Sequence, residues 1–408
     1  MLLPTTTYRA HDFIEAATKL GAETVVGSDQ SQALQDLQPT RGLTIELRDP
    51  VKSADQIAAF AARHPLSAVI PTDDETAVVA AVASARLGLP HNPPGAAHAA
   101  RRKDELRRLL EAAGVRTPRH AAIGVGVDPA AAARGQVYPV VLKPTFLAAS
   151  RGVIRADTPD QFTTAFRRIE SLLARPDVQE RGGDDARRIL VEQFVPGLEV
   201  AVEGLLTRGE LRVLAIFDKP DPLDGPYFEE TIYVTPSRLE AAAQRAVTAT
   251  TVDAARALGL REGPIHAELR LNDRGPWLIE LAARSIGGLC SRVLRFGTGL
   301  SLEEVILEHA LGRDVSDLQR EPRPAGVMMI PIPRAGVLRG VSGVREARAV
   351  AGIDDVTISA TLGRPLVPLP EGASYLGFIF ARADMPAAVE AALREAHGRL
   401  RFDIDPGA

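Results

Sequence analysis

Apolar positions along the chain follow two periods. Near the start, Phe13, Ala16, Ala17 and Leu20 recur at helical spacing and stop at Gly21, and Thr24-Val25-Val26-Gly27 follows as a buried strand. Ser53 opens another helix with Gln56 in capping-box position, and Ala68-Val69-Ile70-Pro71 reads as the next strand. Alternation of this kind from Met1 to about Pro90 predicts a small α/β unit with a parallel sheet. A Rossmann fingerprint would place Gly-x-Gly-x-x-Gly after the first strand, and none is present. Asp73 and Asp74 follow a strand end, where open α/β sheets place ligands, and equally suit a helix N-terminus.

A Pro/Gly-rich joint at 90–95 precedes a basic amphipathic helix predicted from about His98 to Ala113, with Lys103 among its cations. Tyr138 to Pro144 is a near-continuous apolar strand carrying Lys143 at its end, and a small-residue loop, Thr145 to Val153, follows. A lysine there would reach a phosphate while loop N–H groups fold over it, although a surface lysine beside an ordinary loop explains the pattern too. The stretch lacks the Walker spacing of glycines. Residues 172–188 read as an exposed connection. Two strands follow, Ile189 to Val195 and Leu198 to Gly204, joined by a Pro196-Gly197 turn whose backbone would meet a base edge. Leu211 to Phe217 continues the antiparallel run, and Asp218 to Pro226 reads as a loop. Ser301 with Glu304 caps a helix ending near Gly312. From about Pro322 the tail mixes strands and helices as a separate α+β piece.

The most telling pattern is a hairpin, Pro264 to Ala283, closed by Asn272-Asp273-Arg274-Gly275. If it folds about Arg274, Glu268 lies opposite Glu280 and His266 opposite Ala282. Ile265, Ala267, Leu269 and Leu271 then share the apolar side with Trp277, Ile279 and Leu281. Two carboxylates about 5 Å apart repel by roughly 3 kcal/mol at an effective dielectric near 20, so a cation belongs between them. Mg²⁺ suits such oxygen ligands, and neutralisation of a solvated face by Arg270 and Arg284 is the alternative.

Composition narrows the classes. A length of 408 residues allows two to four packed units. A net charge of −4 with interspersed signs gives no surface for nucleic acid. The single cysteine, Cys290, excludes an internal disulfide framework, fits a reducing cytoplasm and suits a small buried residue. No apolar run approaches the roughly 20 residues needed to span a bilayer, and Met1 to Thr6 lacks the charged start of a leader.

Taken in order, a strand lysine with a small-residue loop, Glu192-Gln193-Phe194-Val195-Pro196-Gly197-x-Glu199, and paired glutamates closed by Arg284 and Gly287-Gly288 resemble the ATP-grasp ligases. Ile279-Glu280-Leu281-Ala282-Ala283-Arg284-x-x-Gly287-Gly288 and the run Leu376 to Arg382 are similar to the dipeptide-forming L-amino acid ligases. That resemblance implies a mixed α/β and α+β chain: an N-terminal α/β domain (1–95), an ATP-grasp domain of two α+β lobes (96–320, lid lobe about 120–196) and a C-terminal α+β appendage (321–408). It implies ATP with Mg²⁺, or Mn²⁺, and an acyl-phosphate route joining a small-molecule carboxylate to an amine. Lys103 and Lys143 would meet the phosphates under a lid containing Ser150, Arg151 and Gly152. Glu192, Phe194 and Val195 would meet adenine, Glu199 the ribose, and Glu268 and Glu280 the metal. Arg284 with Gly287 and Gly288 would stabilise the transferring group. Glu230, Tyr233 and Leu289 would meet the first substrate, with Tyr233 where relatives often carry histidine. Alanine at 282, where much of the superfamily has asparagine, leaves a second metal ion short of a ligand. A cytoplasmic homodimer is the family expectation. The alternatives are purine-type or biotin-carboxylase-like chemistry, and a nucleotide-binding protein without catalysis.

Overall fold

The computed structural model describes residues 1–4, 7–30 and 42–406; Thr5 and Thr6 of the opening stretch lie outside the described residues. In the N-terminal unit, Val26–Ser28 pairs parallel with Gly42–Thr44, and Leu2 bridges parallel to Gly27 and Pro71. Ile57, Val79 and Ala83 from helices Pro50–Ala61 and Asp74–Leu87 pack with Leu2 and Ile45 beneath this small sheet. Two details differ from the sequence pattern. The helix expected at Ser53 starts earlier, because Asp49 accepts from the Lys52 N–H at 2.9 Å and Pro50 fills the first turn, where its missing N–H costs nothing. Ser53 points inward instead, donating to the Glu46 carbonyl at 2.6 Å. Ala68 to Ile70 forms no strand of its own, and meets the sheet through the Pro71 bridge and a Leu2 N–H bond to the Ile70 carbonyl.

The predicted basic helix is two helices, Pro94–Arg101 and Lys103–Ala112. Arg102 breaks the run with an extended backbone (φ −102°, ψ 105°), and the Lys103 N–H donates to the Thr145 carbonyl at 2.8 Å. That turn brings Lys103 inside, where it is 6% exposed.

A four-stranded antiparallel sheet follows, in the order His120–Gly124, Arg188–Gln193, Val140–Pro144, Ile154–Ala156. Helix Pro159–Leu173 covers it. Thr158 caps that helix on the Gln161 N–H, and Phe162, Phe166, Ile169 and Leu173 recur at helical spacing on its buried face. Burial of each such side chain stabilises the lobe by about 1.5–3 kcal/mol. Residues 172–188 are largely exposed, as their composition predicts, but they are helical and not a plain connection. They form the end of that helix, helix Pro176–Gly182 and a 3₁₀ turn Gly183–Arg187, because Val178 and Ala186 are buried in the same core.

The largest sheet has eight antiparallel strands, ordered Gly275–Ala282, Gly263–Asn272, Leu198–Thr207, Glu210–Lys219, Ile232–Thr235, Ala325–Ile330, Gly377–Arg382, Ile353–Ile358. Val200, Val202, Ala267 and Leu269 face helix Ala241–Leu258 through one core, while Ala201, Leu205, Phe217 and Tyr233 join another with helix Leu302–Ala310. Ser301 and Glu304 cap the latter helix reciprocally, as their spacing predicts. The tail is therefore continuous with the site-bearing strands through three of its own. A smaller three-stranded sheet, Pro365–Leu366, Gly336–Ser342 and Arg401–Asp405, adjoins it. Cys290 is buried and free, and no helix among the described residues is long and apolar enough to cross a membrane.

Candidate active site

The hairpin register places Glu268 opposite Glu280 and His266 opposite Ala282. A bulge after Glu268 then shifts the pairing, so Leu269 faces Leu278 and Arg270 faces Trp277. Leu278, not Ile279, enters the apolar core, and the bulge re-aims Ile279 toward a cleft. The alternation that assigned Trp277 and Ile279 to the core side missed this extra residue.

Alternate residues of three strands carry the polar face. Glu199 faces Arg270 on one side and Lys219 on the other, and Glu203 faces His266. Lys219 lies among three carboxylates, at 2.9 Å from Glu199, 3.3 Å from Glu268 and in a short contact with Glu230. Burial opposes its charge, but the three carboxylates together hold the ammonium well above lysine's ordinary pKa. Burial and the Glu268 charge push Glu230 up to about 7, against the pull of Lys219. Glu268 goes the other way: burial is outweighed by Lys219 and His266, and its pKa lies well below the carboxylate range. His266 completes the set, with Nδ1 2.5 Å from Glu203 and Nε2 3.4 Å from Glu268. Burial disfavours its charge, yet the two carboxylates raise it to about 9. Glu203 also accepts from the Ile286 N–H at 3.1 Å, tying this network to the segment after Arg284.

A second charged set stands across the cleft. Lys103 donates to Glu280 at 3.1 Å and to the Leu147 carbonyl at 2.8 Å. Glu192 lies between Lys143 (2.5 Å) and Arg107 (2.6 Å), all three essentially buried. Burial is outweighed by the two cations, so Glu192 titrates below its ordinary value. Lys143 is lowered as well, first by burial and then by Arg107 and Lys103, which exceeds the help Glu192 gives. Arg107 donates to the Ile279 carbonyl at 2.5 Å and keeps one buried nitrogen, Nη1, without a partner.

Lys103, Lys143, Glu192, Glu199, Glu268 and Glu280 thus line one cleft, which Glu230, Ser150, Phe194 and Val195 complete. Its volume is about 90 Å³. The Phe194 N–H is bonded to the Pro139 carbonyl at 3.0 Å, and the Val195 carbonyl accepts from Arg270 at 2.9 Å. Other candidates lie apart. Arg151 turns away to the Glu371 carbonyl and Asp177, and the Gly152 N–H donates to the Pro370 carbonyl. Arg284 is clamped by Asp74 at 2.9 and 3.1 Å; burial opposes its charge, but Asp74 raises its pKa further. Gly287 has open space at its Cβ position, whereas Gly288 takes φ +59° with Phe378 close by. Tyr233 and Leu289 are packed in an apolar core, with the Lys219 ammonium 5.0 Å from the Tyr233 ring. Arg270 and Arg284 neutralise Glu199 and Asp74, not the opposed glutamates, whose cationic partners are Lys219 and His266 for Glu268 and Lys103 for Glu280. Asp73 caps its helix, as the terminal-acid alternative has it.

Lys219, Arg107 and Glu203 escaped the sequence pattern. Lys219 shares its face with Ala215 and Phe217, beyond a bulge that separates them from Leu211 and Val213, so ending that strand at Phe217 hid it. Arg107 is four residues after Lys103 and shares its helix face, a signal that the unbroken-helix assumption obscured. A larger cavity, about 760 Å³, lies near His309 and Asn92. Thr207 pairs there with His309 and Asn92 with the Glu262 backbone, and Arg208, Glu210, Arg212, Glu262, Arg313 and Asp314 also line it, but it holds none of the residues that the sequence pattern singles out for the site.

A family profile described as the ATP-grasp domain matches residues 136–293, and another, the ATP-grasp N-terminal domain, matches 14–91. The chain thus carries an ATP-grasp domain, preceded by a segment that matches the N-terminal domain of such proteins. Its tail, residues 328–405, matches the L-amino acid ligase C-terminal domain 2. The L-amino acid ligase of Bacillus licheniformis superposes with a TM-score of 0.81 and 25% identity, covering 99% of this chain and 98% of that one. The alanine--anticapsin ligase of Bacillus subtilis (strain 168) is 28% identical over 267 residues, 62% of this chain and 56% of its own length. Dapdiamide A synthase of Enterobacter agglomerans is 34% identical over 152 residues, 37% of this chain and 34% of its own. The chain thus spans a little over half the length of the first of these curated relatives.

Proposed function

We propose that this ATP-grasp protein is an ATP-dependent carboxylate–amine ligase joining two amino acids, or an amino acid and a similar amine, through an acyl phosphate. The observation that carries this function is one cleft lined by Lys103, Lys143, Glu230, Glu268 and Glu280, in which Lys103 pairs with Glu280, Lys143 with Glu192, and Glu230 and Glu268 share Lys219. The relatives named for amino-acid ligation support it over purine-type or carboxylating chemistry.

Lys103 and Lys143 neutralise the phosphates of ATP, with Phe194 and Val195 at the adenine and Glu199 at the ribose. Glu192 holds Lys143 and Arg107 in place. The residues fit Mg²⁺ through the opposed pair: Glu280 stands across the hairpin from Glu268, and both offer carboxylate oxygens to the cleft, whereas Glu199, Glu230 and Glu268 also share the Lys219 ammonium. Glu268 and Glu280 hold the ion, with Mn²⁺ as a substitute. When bound, the ion offsets phosphate charge and makes the γ-phosphorus a better electrophile. A substrate carboxylate oxygen attacks that phosphorus and ADP leaves; an amine nitrogen then attacks the acyl carbon, expelling phosphate and releasing a proton as the amide forms. Lys219 and Arg284 stabilise the oxygens that gain charge, with the Gly287-Gly288 backbone beside them. Glu230 meets the ammonium of the first amino acid: a carboxyl near pKa 7 is returned to its ionised form by a cationic partner. Tyr233 and Leu289 form the apolar wall behind that substrate. Domain limits at 95 and 320 separate the N-terminal unit, the grasp and the tail.

The test is a phosphate-release screen of amino acids, singly and in pairs, with mass detection of products. ADP and a dipeptide mass appear together for at least one pair. Release that requires bicarbonate, or none with any pair, would overturn the assignment.

A further inference from the structure

The cleft of about 90 Å³ is well under the roughly 300 Å³ at which small-molecule sites begin, so the lid must move outward to admit a nucleotide. Besides the Lys103 bonds to Thr145 and Leu147 and the Ile154–Tyr227 bridge, one set of contacts fastens it to the tail. The turn 367–372 connects strand Pro365–Leu366 of the three-stranded sheet to strand Gly377–Arg382 of the large sheet. It is anchored at both ends and bends tightly, with the Gly372 N–H bonded to the Pro368 carbonyl at 2.9 Å.

Contacts from the lid lobe converge on two residues of this turn. The Gly152 N–H donates to the Pro370 carbonyl at 2.7 Å, and Arg151 Nε donates to the Glu371 carbonyl at 2.9 Å. Arg168, on helix Pro159–Leu173, grips the Glu371 carboxylate through both oxygens at 2.5 and 2.9 Å and also donates to the Tyr227 hydroxyl. Gly152 is held for this contact. Its φ is +76°, and a Cβ there would lie 2.8 Å from Pro144 and 3.0 Å from Leu172. Paired N–H···O bonds of this fork geometry fix direction as well as distance.

We propose that Glu371, with the Pro370 carbonyl, is a latch by which the tail holds the loop 145–153 down over the cleft and sets the rate at which nucleotide enters and leaves. The latch rests on the assignment of ATP to this cleft. Glu371 touches no reacting atom and acts as a positioning residue through Arg168 and the lid.

Glu371→Ala and Arg168→Ala, singly and together, test it in the full chain. Stopped-flow with a fluorescent ATP analogue measures association and release, and amide exchange reports residues 145–156. Both single variants speed association and release about threefold to tenfold and raise exchange in 145–156, while exchange in 198–219 stays unchanged. The double variant adds little to either single. Unchanged nucleotide rates, or exchange that rises evenly over the whole chain, would overturn the latch. If the wild-type chain binds no nucleotide, the ATP assignment itself fails, and selective exchange at 145–156 still decides whether the turn fastens the loop.

Discussion

Replacing Lys219 by methionine keeps most of the side-chain volume and removes the one ammonium that touches Glu199, Glu230 and Glu268. Oxygens of those carboxylates lie within 4.8 Å of one another, and at an effective dielectric near 20 each pair repels by about 3.5 kcal/mol. Removing one partner from a buried ion cluster destabilises by about 3–5 kcal/mol, unless a proton replaces the lost cation. Glu230 supplies that relief, since its pKa is about 7 even with Lys219 present and rises further without it. A carboxyl whose folded pKa exceeds its unfolded value contributes stability below the unfolded value and loses it as pH rises through the folded one. For one group the loss is about 1.4 kcal/mol per pH unit in that window. The Tm of Lys219→Met should therefore fall modestly at pH 6 and by clearly more at pH 8.5, measured by scanning calorimetry beside wild type. Phosphate release at saturating substrates should drop about 100-fold or more, the scale of losing one charge-stabilising donor. An equal Tm deficit at both pH values, or none, would show that the three carboxylates are not held by this lysine.

Two further outcomes follow from the same network. Glu280→Gln should abolish substrate-dependent ADP formation with the Tm and circular dichroism of wild type, because Lys103 keeps its bond to the Leu147 carbonyl when the charge is lost; undiminished ADP formation would remove Glu280 from the metal site. His266, held at about 9, contributes stability that is complete below its ordinary value near 6.5 and disappears as pH rises through 9, about 3 kcal/mol in all. The Tm difference between wild type and His266→Gln should then shrink from pH 7 to pH 9.5, and a constant difference would contradict a charged imidazole.

The hairpin was legible because alternation and a short turn determine which residues face each other, and Glu268 does face Glu280. What alternation does not show is the bulge: an inserted residue changes the face of every side chain between it and the turn, so Ile279 and Leu278 exchanged places. Lys219 stayed hidden for a related reason. A charged residue beside Asp218 and Pro220 has the composition of a loop, and only the carboxylates on neighbouring strands make a buried strand position favourable for it. Lys103 reads as a surface charge until Arg102 breaks the helix and turns it inward. The stretch 172–188 looks polar because Val178 and Ala186 are its few buried anchors, too sparse for a periodic signal. In each case the missing information is tertiary, carried by partners far along the chain.

The large sheet does not stop where the tail starts. Ile232–Thr235 is hydrogen-bonded to Ala325–Ile330, so the strand holding Tyr233 shares a ladder with the first strand of the tail. Anyone recombining modules among such proteins would cut through that ladder by joining at residue 320. A chimera that carries Ile232–Thr235 and Ala325–Ile330 from the same parent keeps the seam intact, which makes the pair, and not the tail alone, the natural unit of exchange.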